Sequence, residues 1–300
     1  MVKGKPTNLI YFGSPDFSAA ILESITHNPD LSVNVVGVVT APDKLQGRAQ
    51  VLTPSAVALT ASKFDLPIFK PEKLDDANLA HLKLLKPDLF LVVSYKKIIP
   101  ETWLTTPTQS TFNLHFSLLP KYRGALCISE TIRNQDRETG VTLMVMDAGL
   151  DTGPVISQAK IVIDIDDNVA TLTTKLTQAG LKLLAEYLPL LSTGKYQAVP
   201  QNNAKATITP TTKTRTRETA FIGWSEIKKA LHGENAAAAH ALIRSLNPDP
   251  GAWTRVDDLD LKLIQTHLNQ HNQKLEIELV QLPGKNPISW KNFLSGHPVI

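Results

Sequence analysis

Short apolar runs that end in turn-forming residues, each followed by apolar residues at helical spacing, recur along this chain, and that alternation narrows the architectures open to it. Asn8–Phe12 (NLIYF) is stopped by Gly13-Ser14-Pro15-Asp16, and Phe17–Ile25 then repeats apolar residues with the period of a helix. Val33–Val39 reads as the next strand, Ser55–Phe64 as a helix, Pro67–Phe69 as a short extended piece, Leu74–Leu85 as a helix and Asp88–Val93 as a strand. Alternating β and α segments predict a mostly parallel sheet with helices on both faces, an α/β fold of Rossmann-like type.

The pattern continues through Thr111–Phe116, a polar loop, a helix at Leu126–Asn134, and strands at Val141–Met146 and Val155–Ile163. A long helix follows, with Leu172, Leu176, Ala179, Leu183 and Leu184 on one face behind the capping candidates Asp166–Asn168. From Ser192 to Arg217 the composition turns to Thr, Asn, Gln, Pro and Lys, as expected of an exposed connection. Beyond it a helix at Ala236–Leu246 precedes strand-like Leu261–Thr266 and Leu275–Leu282, which predicts a small and mostly β second domain. The chain thus divides into 1–194, a basic linker 195–217, and 218–300; its 300 residues, 42% hydrophobic, suffice for two cores.

A net charge of +3 does not by itself identify a nucleic-acid partner, because phosphate is bound by local arrangement. From Lys195 onward Lys and Arg outnumber Asp and Glu by 13 to 9, so the basic excess lies in the linker and tail. The single cysteine, Cys127, rules out an internal disulfide and any multi-cysteine zinc site, and no metal is expected. Met1–Thr7 carries no apolar or Arg-rich targeting signal, and Leu89–Val93 is too short to span a bilayer; the expectation is a soluble cytoplasmic monomer with no membrane partner.

Within Thr111–Phe116, period-2 geometry puts Asn113 and His115 on one face, near the strand end where a doubly wound sheet opens its cleft. Alone, Asn-x-His is more often satisfied by local hydrogen bonds than catalytic. It is followed by Ser117-Leu118-Leu119-Pro120-Lys121-Tyr122-Arg123-Gly124-Ala125 and, after a helix and a strand, by Met146-Asp147-Ala148-Gly149-Leu150-Asp151-Thr152-Gly153. These two blocks, with FGSPDF at Phe12–Phe17, TAPDKLQGR at Thr40–Arg48 and NPDPGAW at Asn247–Trp253, resemble the folate-dependent formyltransferase family. Several separated motifs in the right order are far more specific than any one of them.

The resemblance implies transfer of a formyl group from 10-formyltetrahydrofolate to an amine. The GLDTG ending is similar to the branch of the family that acts on methionine carried by initiator tRNA. It implies Asn113, His115 and Asp151 as catalytic residues: Asn113 and protonated His115 as donors to the oxygen that gains charge when the amine attacks, Asp151 as the group that orients the imidazole. The folate is expected, by resemblance, against Val93, Ser94 and Tyr95, against Ser117, Leu118, Leu119 and Pro120, and against Asp147 and Gly149, held largely by main-chain groups.

Charged initiator tRNA is expected at Lys44 and Arg48, in a loop similar to the family's insertion toward the acceptor stem, and at Lys205, Lys213, Arg215 and Arg217. The sequence departs from the family at Phe116, where the tRNA enzymes usually have Gly, at Lys96 for a common Gly, and at Cys127 for Pro. Only Thr254–Ile300 follows the NPDPGAW block, which predicts a shortened, OB-like version of a small β-barrel, a fold of about five strands. A dinucleotide-binding dehydrogenase is disfavoured, because Gly13-Ser14-Pro15-Asp16-Phe17-Ser18 lacks the second and third glycines that admit a pyrophosphate. Formyl transfer to a sugar amine or purine precursor, formylfolate hydrolysis, and a non-catalytic RNA-binding relative remain the rivals.

Overall fold

The computed structural model describes residues 6–47 and 50–297. In chain order the elements are β1 (Thr7–Gly13), α1 (Asp16–His27), β2 (Val33–Val39), β3 (Lys44–Gln46), β4 (Val51–Thr53), α2 (Ala56–Lys63), β5 (Ile68–Phe69), α3 (Asp76–Lys83), β6 (Leu89–Val93), α4 (Glu101–Leu104) and β7 (Ser110–His115). Then come α5 (Cys127–Arg133), β8 (Glu138–Val145), β9 (Val155–Val162), α6 (Val169–Leu191), α7 (Trp224–Leu231), α8 (Ala236–Leu246), β10 (Trp253–Val256), β11 (Leu259–Asn269), β12 (Lys274–Gln281), β13 (Ile288–Ser289) and α9 (Trp290–Gly296). The chain clusters into two compact units that interleave along the sequence, 1–125 with 140–160 and 176–208, and 126–139 with 161–175 and 209–300.

The first unit is built on a seven-stranded sheet of order β5-β2-β1-β6-β7-β8-β9. β1 pairs in parallel with β2 and β6, β2 with β5, and β6 with β7, whereas β8 runs antiparallel to β7. The central strands are unbroken apolar runs because both faces are covered. On one face Ile10, Phe12, Phe90 and Val92 form a cluster with Trp103, Leu79 and Leu82; on the other Leu9, Tyr11 and Leu91 are equally buried.

Strand order reverses between β1 and β6, so the sheet opens a crevice beyond their carboxyl ends. The turn there is tight. Tyr11 Oη hydrogen-bonds the Ser18 carbonyl at 2.7 Å, and Ser18 Oγ donates to the Val93 carbonyl at 2.9 Å, tying β1, the start of α1 and β6 together. A Cβ on Gly13 would overlap Ser18 Oγ and lie 2.9 Å from the Val93 oxygen, which leaves glycine as the residue that fits.

The predicted strands and helices are all present within a few residues, and the Asn168 side chain caps α6 by accepting from Ala170 and Thr171 N–H at 2.9 and 3.1 Å. The 41–53 loop holds an unpredicted hairpin, β3–β4, whose strands of three residues are too short to register as a pattern.

The expectation of a mostly β second domain is corrected: the second unit carries α5, α7, α8 and α9 beside a four-stranded antiparallel sheet of order β10-β11-β12-β13. Ile227, Ile243, Leu261, Leu263 and Phe293 form its core. In α7 the apolar residues Trp224, Ile227, Ala230 and Leu231 do fall at helical spacing, but over only eight residues. Among the described residues no pairing joins β10 to β13, so four strands stand where the expected small barrel has about five.

One buried titratable group in this unit makes a pH-dependent contribution. His240 on α8 is 1% exposed; its Nε2 donates to the Ile165 carbonyl at 2.9 Å and its Nδ1 accepts from Thr266 Oγ1 at 2.9 Å, the pattern of a neutral ring. Burial, reinforced by nearby Arg244, pushes its pKa from 6.5 to about 4, against the pull of the Ile165 carbonyl and Asp166. The unfolded chain therefore takes up this proton first as pH falls. The stability from His240 is fully present above about pH 6.5 and is lost as pH falls toward 4, a term of about 3 kcal/mol at most. Denaturant unfolding across that window is expected to show the loss, and His240→Gln to flatten it; an unchanged slope in the variant would assign the pH sensitivity to other groups.

Candidate active site

The site is built at the carboxyl end of β7, between β6 and β8. Register places Asn113 between Val92 and Met144 and His115 beside Thr142. Leu114, pointing the other way, is buried, and its side chain meets Gly180 of α6. Asn113 and His115 share the opposite face as period-2 geometry requires, each 7% exposed.

Both meet Asp151, which is 38 residues beyond Asn113 in sequence. Asn113 Nδ2 donates to Asp151 Oδ1 at 3.2 Å, the Gly124 N–H donates to Asp151 Oδ2 at 2.8 Å, and His115 Nδ1 lies 3.6 Å from that same oxygen. His115 Nε2 is 3.0 Å from the Tyr122 carbonyl, so it carries a hydrogen there. Nε2 is thus the hydrogen-bonded nitrogen of the ring, and Nδ1 faces the carboxylate.

The turn that brings Asp151 back is held by its own side chains. Asp147 Oδ1 accepts from Thr152 Oγ1 at 2.6 Å and from the Gly149 N–H at 3.1 Å. Asp151 itself has φ +51°, the left-handed region that an Asp tolerates better than most residues. A Cβ on Gly153 would run into the Val145 carbonyl, so the chain can leave β8 this closely only through glycine.

The facing loop, 117–125, is anchored through Thr142 of β8. Its Oγ1 donates to the Ser117 carbonyl at 2.6 Å and accepts from the Leu119 N–H at 3.1 Å and from Gln158 Nε2 at 2.9 Å; Gln158 also donates to the Leu119 carbonyl at 2.8 Å. Ser117 Oγ closes the loop on the Lys121 carbonyl at 2.7 Å. The Phe116 ring packs against Phe17 of α1 with centroids 4.8 Å apart, so the departure from glycine serves packing and leaves the His115 contacts intact.

The residues expected at the folate lie at the ends of β6, β7 and β8. Val93, Ser117 and Leu119 are buried, Tyr95, Leu118 and Pro120 half-buried, and Ser94, Asp147 and Gly149 exposed. Tyr95 Oη is buried with no hydrogen-bond partner among the described residues, and burial pushes its pKa up to about 12. The Tyr95 ring packs against the apolar cluster around Phe12, while exposed Ser94 and Gly149 fit a polar ring system held by few side chains. Among the described residues no group of three or more His, Cys, Asp or Glu is arranged to hold a metal.

The residues expected to meet tRNA fare unevenly. Lys44 is exposed on the β3–β4 hairpin, which also exposes Leu45, Val51 and Leu52; Arg48 lies outside the described residues. Lys205 and Lys213 are exposed. Arg215 and Arg217 are instead engaged within the second unit, the first on the Ser245 and Asp249 carbonyls, the second on Asp260 at 2.6 Å and over the Trp253 ring at 4.7 Å. Sequence reading missed Gln201, Thr142 and Gln158, neutral residues with no spacing signal.

This fold and this set of converging groups define a group-transfer enzyme of the formyltransferase class. Residues 7–188 match the formyl transferase family and residues 216–276 the formyl transferase C-terminal domain, and the chain belongs to that family. Methionyl-tRNA formyltransferase of Staphylococcus aureus (strain Newman) is 35% identical across 97% of this chain and 96% of its own. An N-formyltransferase from Helicobacter canadensis, solved with folinic acid and dTDP-3-aminofucose, shares the fold at 22% identity with a TM-score of 0.61, covering 88% of each chain. Phosphoribosylglycinamide formyltransferase from Bacillus halodurans does so at 24% identity and a TM-score of 0.53, over 62% of this chain and 95% of that one. No helix among the described residues is long and apolar enough to cross a membrane.

Loss of the loop anchor is measurable without substrate. Thr142→Val keeps the shape but strips the Ser117 carbonyl and Leu119 N–H of a buried partner, and is expected to lower the unfolding free energy by about 1–3 kcal/mol. A change below about 0.5 kcal/mol in denaturant titration would mean that the loop is held from elsewhere.

Proposed function

We propose that this chain transfers the formyl group of 10-formyltetrahydrofolate to the α-amino group of methionyl initiator tRNA, with residues 1–194 as catalytic domain, 195–217 as linker and 218–300 as a tRNA-binding domain. The observation that carries the chemistry is the convergence of Asn113 and His115 on Asp151, from two segments far apart in sequence. The acceptor is supported by the nearly full-length likeness to the Staphylococcus aureus enzyme.

The folate supplies the formyl group as donor substrate, and the ends of β6 and β8 with the 117–120 loop are the candidates to hold it. Attack by an amine on the formyl carbon shifts charge onto the formyl oxygen. The Asn113 amide keeps its second N–H for that oxygen, and His115 Nε2–H becomes the other donor by turning from the Tyr122 carbonyl to the substrate. Asp151 holds both: it accepts from the amide and stands 3.6 Å from the imidazole, fixing its orientation. The pre-set amide donor needs no reorganisation as charge develops.

The test offers formyl-folate with charged initiator tRNA, charged elongator methionine tRNA, a sugar amine or water. Formylation of the initiator species is expected. Asn113→Ala, His115→Ala and Asp151→Asn should each lower turnover by about two orders of magnitude while leaving the chain folded. Near-normal turnover in His115→Ala would falsify the catalytic assignment.

Attraction to the tRNA backbone should come from exposed cations. Neutralising Lys205 and Lys213 together is expected to flatten the slope of log affinity against log salt by up to about 2, with discrimination between the two tRNAs retained. The Arg215→Gln and Arg217→Gln changes should move the slope less, since both guanidinium groups are engaged within their own unit. A larger change from the arginines than from the lysines would reverse this assignment.

A further inference from the structure

The stretch from Gln201 to Ile208, which reads in sequence as part of an exposed connection, holds both loops of the site. Gln201 Nε2 donates to the main-chain carbonyls of Asp151 and Gly153, each at 2.8 Å. Its Oε1 accepts from Arg123 Nε at 3.1 Å and from Nη2 at 2.8 Å, and Nη2 also donates to Asn203 Oδ1 at 2.7 Å. The backbone is joined as well: the Arg123 N–H donates to the Thr207 carbonyl at 2.8 Å and the Tyr122 N–H to Thr207 Oγ1 at 2.8 Å.

Arg123 lies between the two residues through which its loop touches the site. Tyr122 supplies the carbonyl facing His115, and Gly124 the N–H that donates to Asp151. Gln201 grips the other side of the same contact, at the Asp151 main chain. A single side chain therefore bridges the loop that orients the imidazole and the loop that carries the carboxylate. We propose that Arg123 and Gln201 are a positioning pair for formyl transfer, holding Asp151 in its left-handed conformation so that the carboxylate stays against Asn113, His115 and Gly124.

The pair has a direction. The guanidinium of Arg123, a residue 6% exposed, only donates, so its partner must accept; the Asp151 and Gly153 carbonyls only accept, so the same partner must also donate twice. Glutamine meets both demands with one amide group. Glutamate would keep the Arg123 side but set an acceptor against two carbonyls, breaking the grip on Asp151 while preserving volume. A pair needed only for folding would tolerate that exchange, because the new ion pair with Arg123 offsets the lost contacts; a pair needed for the carboxylate's placement would not.

The inference rests on the reading of Asp151 as catalytic, and the test separates the two. Initial rates of the full chain are measured against charged initiator tRNA and against formyl-folate for Gln201→Glu, Gln201→Ala, Asp151→Asn and each Gln201 change combined with Asp151→Asn, with thermal melting of every variant. The expected result for both Gln201 variants is a fall in kcat of about tenfold or more, since sub-ångström displacement of a reacting group has effects of that order, with KM for both substrates within about twofold. In the Asp151→Asn background the same changes should cost no further kcat, because the residue they act through is already lost. Unchanged kcat in Gln201→Glu and Gln201→Ala while Asp151→Asn is crippled would overturn the positioning role alone. An equal fall in both backgrounds would overturn it too, assigning Gln201 to general integrity. Wild-type turnover in Asp151→Asn would overturn the catalytic reading and the pair with it.

Discussion

Everything in the candidate site is arranged around one carboxylate that is mostly removed from water. Asp151 is 14% exposed by side chain, and a carboxylate so placed needs donors from the protein. It finds two, a side-chain amide on β7 and a backbone N–H in the 117–125 loop, and an imidazole two residues along β7 stands 3.6 Å away. None of these can move without leaving the carboxylate or itself short of a partner. The carboxylate thereby sets the separation of strand end and loop, and the site has its geometry before any substrate arrives.

Such a convergence demands that loops be as rigid as the strands they leave. The sheet supplies this on one side, where Thr142 and Gln158 project from β8 and β9 to catch the main chain of residues 117–119. At the other end of the loop, hydrogen bonds from residues beyond position 200 take over. Glycines appear where backbones press together: Gly13 beneath Ser18 and Gly153 against Val145. Rigidity here is a matter of satisfied donors and acceptors more than of apolar packing, which is why neutral side chains do most of it.

That distinction explains what was legible in the sequence. Buried parallel strands and amphipathic helices write themselves as runs and periods, so β1, β2, β6 and α6 could be read directly. Asn113 and His115 were visible as a same-face pair, and Asp151 only through the resemblance of a separated motif. Short elements left little trace: β3 and β4 have three residues each, and α7 eight. Gln201, Thr142 and Gln158 were illegible for a different reason. A hydrogen bond to main chain imposes no periodicity and little composition bias, and its partner is fixed only by tertiary structure.

The same limit applies to charge. The basic excess beyond Lys195 counts Arg215 and Arg217 equally with Lys205 and Lys213, yet the four are physically unlike. Arg215 spends its donors on two carbonyls, and Arg217 shares Asp260 with Arg255 and lies over Trp253, so part of the formal charge is neutralised or immobilised where it stands. A planar guanidinium suits such fixed contacts, whereas a solvated ammonium on a flexible stem is held by little and can follow a phosphate. Net charge therefore overstates the field that this segment offers a polyanion. What the segment leaves to solvent is Lys205 and Lys213, whose positions composition could count but not rank.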